Sequence, residues 1–423
     1  MSSQSGKPAN PRSGTKTARV ELHSLTGGKI RDITEFVSYV QIFSSLDSPF
    51  MEATVVVSDQ DKIMADSMIN GDVAVSFKAY AGNGKHIEGK FHINDIATFT
   101  QNNRKTNALH LKCVGMEHIH NASQKVQEFK YWYNPTAISD IISEVAKKYL
   151  GISLKALASS SPAVNINIPR MHPMQAITML AQRAQGTSRN VYAFFQKFLE
   201  SKPAYFFEEI STLMAKGPKW LLVHNEASYG KEADNIDETY LAGQAGSKIL
   251  NMTSHSFFDS HNMIKQGYAS RSYWKMDFVF KTYQRIDDVN QHEVIGEKQM
   301  PSVVSIANAK ADPHFNRTMY EPFNGESEYF VDPKLEENYV TSKPVASALS
   351  NKRLTVSTYG CPEIGPGDTV GVISPASTPN NRSGDFDKDF TKVYLVYAVE
   401  HYFGGGTNKM FETKLQLASD GQR

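Results

Sequence analysis

Histidines, cysteines and carboxylates carry most enzyme chemistry, so their spacing in this chain decides first whether a reaction can be assigned. His118 and His120 stand two apart at the end of a predicted strand and can together touch a metal. Two ligands make no closed site, and solvated or hydrogen-bonded histidines are expected there. His292-Glu293 lacks the second histidine that a zinc helix needs four residues after the first. Gly82-Asn83-Gly84-Lys85 lacks the spacing of a phosphate loop, is followed by His86, and reads as a hairpin turn. No G-x-S-x-G elbow occurs, and Cys113 and Cys361 each sit in an alternating, strand-like stretch that predicts buried thiols rather than a disulfide or a cysteine metal site. The 44 acidic residues are spread evenly; a glycosidase pair stays open, but solvated surface is favoured. Trp132, Trp220 and Trp274 suit a core or a subunit interface better than a sugar groove. No catalytic, cofactor-binding or metal-ligating residue is assigned, and no cofactor is expected.

The elements that would position such residues are mostly strands. At 423 residues and 47.2 kDa the chain is long for one core, and several β-rich or mixed units are expected. A hydrophobic share of 40% with 21% charged residues describes an ordered globular chain. Lys and Arg total 45 against 44 Asp and Glu, so bulk charge attracts neither nucleic acid nor anionic lipid. Neither a transmembrane stretch nor the apolar segment of a signal peptide is visible, and the cysteine usage fits a reducing compartment; membrane anchoring is not expected. Residues 1–16, with Lys7, Arg12 and Lys16 and no acid, read as a mobile tail.

From residue 17 to 118, short strands alternate with turns: Met51, Ala53, Val55 and Val57 share a face, as do Val73, Val75 and Phe77, and then Leu109, Leu111 and Cys113. A first small antiparallel β-barrel is predicted. Residues 119–216 change period. Ile138, Ile141, Ile142, Val145 and Tyr149 predict a helix stopped by Gly151, and Pro173 opens a second helix with Ile177, Leu180, Ala181 and Ala184 on one face and Gly186 at its end. Val164 to Ile168 predicts a strand, and Val191 to Phe195 with Tyr205 to Phe207 a hairpin, so this is an α+β domain. Residues 217–344 form a weakly patterned mixed insertion, with an aromatic strand from Met276 to Tyr283, which leaves open that it lends strands to a second barrel. That second β-barrel is predicted over 345–420. Leu354, Val356 and Thr358 make one row, Val393, Leu395, Tyr397 and Val399 another, and Phe411, Thr413, Leu415 and Leu417 a third; Ser374 to Phe390 reads as a long loop, and Gly404-Gly405-Gly406 closes the last hairpin. The fold class is thus mainly β with α+β insertions.

Six segments, taken in order, carry a resemblance: SPFMEATVVVSD, GDVAVSFKAY, NPTAISDIISEVAKKYL, NIPRMHPMQAITMLAQRAQ, YGCPEIGPGDTVGVISP and VYLVYAVEHYFGGGTNKMFETKLQLASDG. Together they resemble the central baseplate hub protein of contractile-tailed bacteriophages, over residues 17–216 and 345–420. The resemblance implies two related barrels with α/β material inserted, and a homotrimeric ring that joins the sixfold tail tube protein to the threefold central spike protein. It implies a place in the virion tail baseplate among other baseplate proteins, assembly in the host cytoplasm, and an open centre for passage of DNA or a tape-measure protein. The resemblance implies no enzyme activity. The competing readings are the head of a spike protein from a secretion or phage-derived injection system, a tail-associated peptidoglycan hydrolase and a carbohydrate-binding receptor protein; relatives of the first usually run on into a β-helical needle, and no such domain is expected here.

Overall fold

The structure is a computed structural model that describes residues 19–25, 28–58, 72–81, 85–100, 107–127, 135–161, 163–164, 166–184, 191–224, 248–256, 271–277, 281–286, 317–323, 352–374, 387, 390–404 and 411–419. The N-terminal stretch 1–16, Trp132, the His292-Glu293 pair and most of the polar 374–390 stretch lie outside these residues.

The chain opens with β1 (Arg19–Ser24), β2 (Lys29–Asp32), β3 (Val37–Ser45), β4 (Glu52–Ser58), β5 (Val73–Tyr80), β6 (His86–Thr100) and β7 (Asn107–Val114), lying side by side as β3-β4-β7-β6-β5-β1-β2. β2 and β3 behave as one bent strand. A 3-10 turn over Thr34–Phe36 separates them, and just before it the Ile33 amide donates to the Val20 carbonyl at 3.0 Å. The first half of the bent strand pairs with β1 and the second with β4, so the sheet curls round to meet itself. The alternation predicted from sequence points inward: Met51, Ala53, Val55 and Val57, Val73, Val75 and Phe77, and Leu109, Leu111 and Cys113 are all buried in one core with Val20, Leu22, Val40 and Ile42. Each Val, Leu, Ile, Phe or Met among them stabilises the fold by about 1.5–3 kcal/mol relative to exposure.

Next come helix α1 (Met116–Ser123), β8 (Thr136–Ala137), α2 (Ile138–Val145), β9 (Leu154–Leu157), β10 (Ala163–Val164), α3 (Pro173–Arg183), β11 (Tyr192–Leu199), β12 (Lys202–Glu209) and α4 (Ile210–Ala215). Helix α2 buries Ile138, Ile141, Ile142 and Val145, continues as a wider π turn over Ala146–Leu150, and stops at Gly151, whose φ of 70° is the left-handed conformation a C-cap glycine supplies. Helix α3 starts with Pro173 at its first position and a capping box between His172 and Gln175. It ends at Arg183, short of Gly186. The strand predicted from Val164 to Ile168 is only the two residues of β10; Ile166 and Ile168 lie outside any strand and are buried in the core that the helices share with one face of β11 and β12.

The rest of the described chain is β: β13 (Trp220–His224), β14 (Lys248–Ser256), β15 (Arg271–Asp277), β16 (Thr282–Ile286), β17 (Arg317–Phe323), β18 (Lys352–Tyr359), β19 (Thr369–Ile373), β20 (Lys392–Gly404) and β21 (Phe411–Ser419). The aromatic run predicted as one strand from Met276 to Tyr283 is a hairpin of β15 and β16, and Lys281 at φ 53° marks its turn. These two with β17 form a separate three-stranded sheet. The other six close a barrel in the order β19-β13-β14-β18-β21-β20, with β20 returning to β19. Its core holds Trp220, Leu222, Ile249, Leu354, Val356, Val370, Val372, Tyr394, Val396, Leu415 and Leu417.

The row predicted as Val393, Leu395, Tyr397 and Val399 is not one face. Val393 is 45% exposed while Tyr394 and Val396 are buried in the barrel. A bulge between Val396 and Ala398 inserts Tyr397 and flips the alternation, after which Val399, His401 and Phe403 point inward.

The two barrels have the same cyclic strand order. Counting the bent β2–β3 as one strand, the first barrel runs first, second, third, sixth, fifth, fourth along the chain, and so does the second, with β13, β14, β18, β19, β20 and β21 in those roles. Their registers agree too. His92 on β6 faces both Ala74 and Val114; Leu395 on β20 faces both Thr369 and Ala418. The next rungs skip one residue in each case, Asn94 in the first barrel and Tyr397 in the second. On the second strand, the ladder skips Ser38 after Val37 in one barrel and Leu250 after Ile249 in the other. One feature breaks the match. β1 is antiparallel to its neighbours, whereas β13 is parallel to both β14 and β19, so the second barrel is not wholly antiparallel as expected. β13 enters directly from the α+β unit, and parallel pairing with β14 requires a long connection, which residues 225–247 supply.

Candidate functional site

The residues that join the two barrels are held by two ladders, ring stacking and side-chain hydrogen bonds. β20 is long because it serves two ladders: Lys392 to Leu395 pair with β19, and Ala398 to Gly404 pair antiparallel with Ser45 to Tyr39 of β3. One continuous sheet of 13 strands results. The Leu46 amide extends the ladder to the Tyr397 carbonyl at 2.9 Å. On the outer face the Tyr39 and Tyr402 rings stack with centroids 5.2 Å apart, and Gln41 Nε2 donates to Glu400 Oε1 at 3.0 Å. The bulged Tyr397 hydroxyl donates to the Asp47 carboxylate, and its ring lies 4.7 Å from the Arg353 guanidinium carbon. Burial, helped by that carboxylate, pushes the Tyr397 phenol above its ordinary pKa. Inside the seam His401 is fully buried between Phe198 and Phe411, its Nδ1 3.2 Å from Thr413 Oγ1, and burial pulls its pKa down to about 3. It is therefore a neutral side chain.

The α+β unit braces this junction from the side. Strands β11 and β12 are buried on both faces. Tyr192, Phe194, Tyr205 and Phe207 meet the helices, while Ala193, Phe195, Ala204 and Phe206 meet Leu46 and Leu395 of the barrels. Their hairpin turns through Glu200 and Ser201, both at positive φ (48° and 78°). Two polar residues interrupt the apolar run of β11, and both bind the barrels. Gln196 Oε1 accepts from the Met51 amide at 2.7 Å, and Lys197 Nζ donates to Asp368 Oδ1 at 2.8 Å. Asp368 Oδ2 accepts the Gly365 amide at 3.0 Å, its carbonyl accepts the Val396 amide at 2.8 Å, and Gly367 donates back to the Val396 carbonyl at 2.9 Å. The turn Gly365-Pro366-Gly367-Asp368 is thus clamped between β11 and β20.

The chemistry-bearing residues singled out in the sequence lie elsewhere. His118 and His120 are not at a strand end but within α1, where His118 packs edge-on against Phe50 and His120 Nδ1 lies 3.3 Å from the Leu150 carbonyl. Each has a structural partner. Among the described residues, no three of His, Cys, Asp or Glu gather to hold a metal. Cys113 and Cys361 are both free and buried, and desolvation raises their pKa to about 12 and about 11, so both stay protonated. Trp220 belongs to the second barrel's core. β5 and β6 pair as a hairpin across the Gly82–Lys85 stretch, with the Ala81 amide donating to the Lys85 carbonyl at 2.7 Å. Among the described residues, no helix is long and apolar enough to cross a membrane. Gln196, Lys197 and Asp368 escaped sequence reading; the available signal was a polar pair inside the otherwise apolar run YAFFQKFL.

No protein-family model matches the chain, and no curated protein matches it either. Solved structures do. A tail protein from Neisseria meningitidis superposes with a TM-score of 0.52 at 12% identity, covering 96% of this chain and 98% of that one. The 43 kDa tail protein of the Shewanella oneidensis prophage MuSo2 gives 0.52 at 10% identity, over 95% and 98%. The chain has the fold of phage tail proteins. A component of the Escherichia coli type VI secretion system is more distant, at a TM-score of 0.45 and 7% identity over 90% of this chain and 73% of that one. Within the tail-protein fold, the junction described above is where one barrel hands its sheet to the next.

Proposed function

We propose that the chain is a structural hub subunit of a phage tail, three copies of which form a ring that adapts the sixfold tail tube to the threefold central spike. The observation that carries this reading is the internal repetition: one chain holds two barrels of the same strand order and register, joined edge to edge through β3 and β20. Three such chains present six similar lobes, which is what a threefold ring needs to meet a sixfold tube. The tail-protein fold supports the placement in a tail.

The role is mechanical. The continuous sheet, the largely buried Lys197–Asp368 pair and the doubly buried β11–β12 sheet make a rigid joint suited to bear load between tube and spike. The subunit catalyses nothing itself, and its centre passes the genome or a tape-measure protein. Assembly takes place in the host cytoplasm, and the finished ring sits in the baseplate. The test is the mass of the purified chain at micromolar concentration, with its binding to the tube and spike proteins of the same phage. Three times the 47.2 kDa chain mass together with binding to both supports the reading. A monomer that binds neither overturns it.

A further inference from the structure

We infer that the subunits join by pairing the second half of β6 in one copy with the second half of β14 in the next, copying the bond that β20 and β3 make within a copy. This rests on the ring reading above and deepens it by naming the surfaces. Each barrel has two half-strands able to take an extra neighbour. On the fifth strand, the part beyond the bulge leaves its fourth-strand neighbour, and on the second strand, the part beyond the bulge leaves the first strand. In the second barrel the fifth-strand half, Ala398 to Gly404, holds β3; in the first barrel the second-strand half, Tyr39 to Ser45, holds β20. The twins of these two have no such neighbour among the described residues. Asp95 to Thr100 have β7 on one side and, among the described residues, no strand on the other. Asn251 to Ser256 have β18 on one side, while pairing with β13 stops at Ile249, and again no described strand lies beyond.

Burial gives a second, independent sign. Val399 is fully buried and its twin Ile96 is only half-buried; Val40 and Ile42 are 1% exposed, and their twins Met252 and Ser254 are half-buried. The side chains that a neighbouring strand covers at the internal junction are uncovered at the open one. An unpaired strand edge seeks a partner, and the chain holds one edge of each kind, one in each barrel, which is the arrangement of a head-to-tail contact, the kind that builds a ring where its rotation closes. The occupant is therefore a second copy of this chain. The internal register fixes the new one. Tyr402 faces Gln41, so Phe99 faces Thr253 of the neighbouring copy, with Thr98 opposite Ser254 and Thr100 opposite Met252.

The double variant Phe99→Cys/Thr253→Cys places the introduced thiols directly opposite across the new ladder, within disulfide reach, and the natural cysteines are buried. Mild oxidation is expected to link most chains into a covalent ladder ending at three. The pair Phe99→Cys/Asn251→Cys, two residues out of register, is expected to link at least tenfold less, because the diagonal separation exceeds disulfide geometry. Equal linking by both pairs, or none in a protein of threefold mass, overturns the strand pairing and leaves the ring reading standing; a monomer overturns both. Hydrogen exchange on the unaltered chain covers the case of a variant that fails to fold. Amides of Asp95 to Thr100 and Asn251 to Ser256 are expected to exchange as slowly as those of Val399 to Phe403, and rapid exchange at the two open edges of a trimer overturns the inference.

Discussion

Lys197 Nζ lies 2.8 Å from Asp368 Oδ1, with the two side chains 12% and 11% exposed, so a nearly buried ion pair ties the α+β unit to the turn that launches β19. Removing one partner leaves the other charge stranded in a poorly solvated place. Lys197→Met is expected to lower stability by roughly 3 kcal/mol in urea unfolding. Replacing both, as Lys197→Met/Asp368→Leu, is expected to recover part of that loss, because no unpaired charge remains.

Gly367 closes the same turn at φ 80°, and a Cβ there meets Phe195 Cζ at 2.9 Å. Gly367→Ala is therefore expected to cost about 1–3 kcal/mol through backbone strain and overlap. Gly217→Ala, where a Cβ meets nothing within 4 Å, serves as control and is expected to stay near wild type.

His401 gives the fold an acid limit. Its folded pKa, about 3, lies below the value near 6.5 of an unfolded histidine, so the unfolded chain binds the extra proton first. The stability it contributes is fully present above about pH 6.5 and is lost as pH falls from there toward 3. Chemical denaturation from pH 7 to 4 is expected to show a slope that His401→Gln flattens, by up to about tenfold in the unfolding constant per pH unit.

Cys113 and Cys361 are expected to react with a thiol reagent only on unfolding, since both are buried and protonated in the folded chain. Labelling followed by mass measurement, with and without denaturant, checks this. Rapid modification of the native protein would contradict the buried placement of both.

Much of the fold was legible where a strand buries one face and wets the other. Met51, Ala53, Val55 and Val57 announced β4, and Phe411, Thr413, Leu415 and Leu417 announced β21, because alternation records burial. It failed where the ladder slips. The bulge at Tyr397 makes two half-rows look like one, and no residue type flags it. β14 was hidden for another reason: KILNMTSHS has its first residues in a barrel core, while the rest pairs only with β18 among the described residues, so its pattern is diluted. The junction itself was unreadable, since Lys197 and Asp368 are 171 positions apart and only the fold brings them together.

End-on electron microscopy of the purified protein tests the proposed ring most directly. Two barrels of one strand order per chain, joined within the chain by β3 to β20 and between chains by the proposed pairing of β14 with β6, predict averaged views with six near-equal lobes around an open centre and strict threefold symmetry. Three lobes, or an assembly without a central opening, would contradict it.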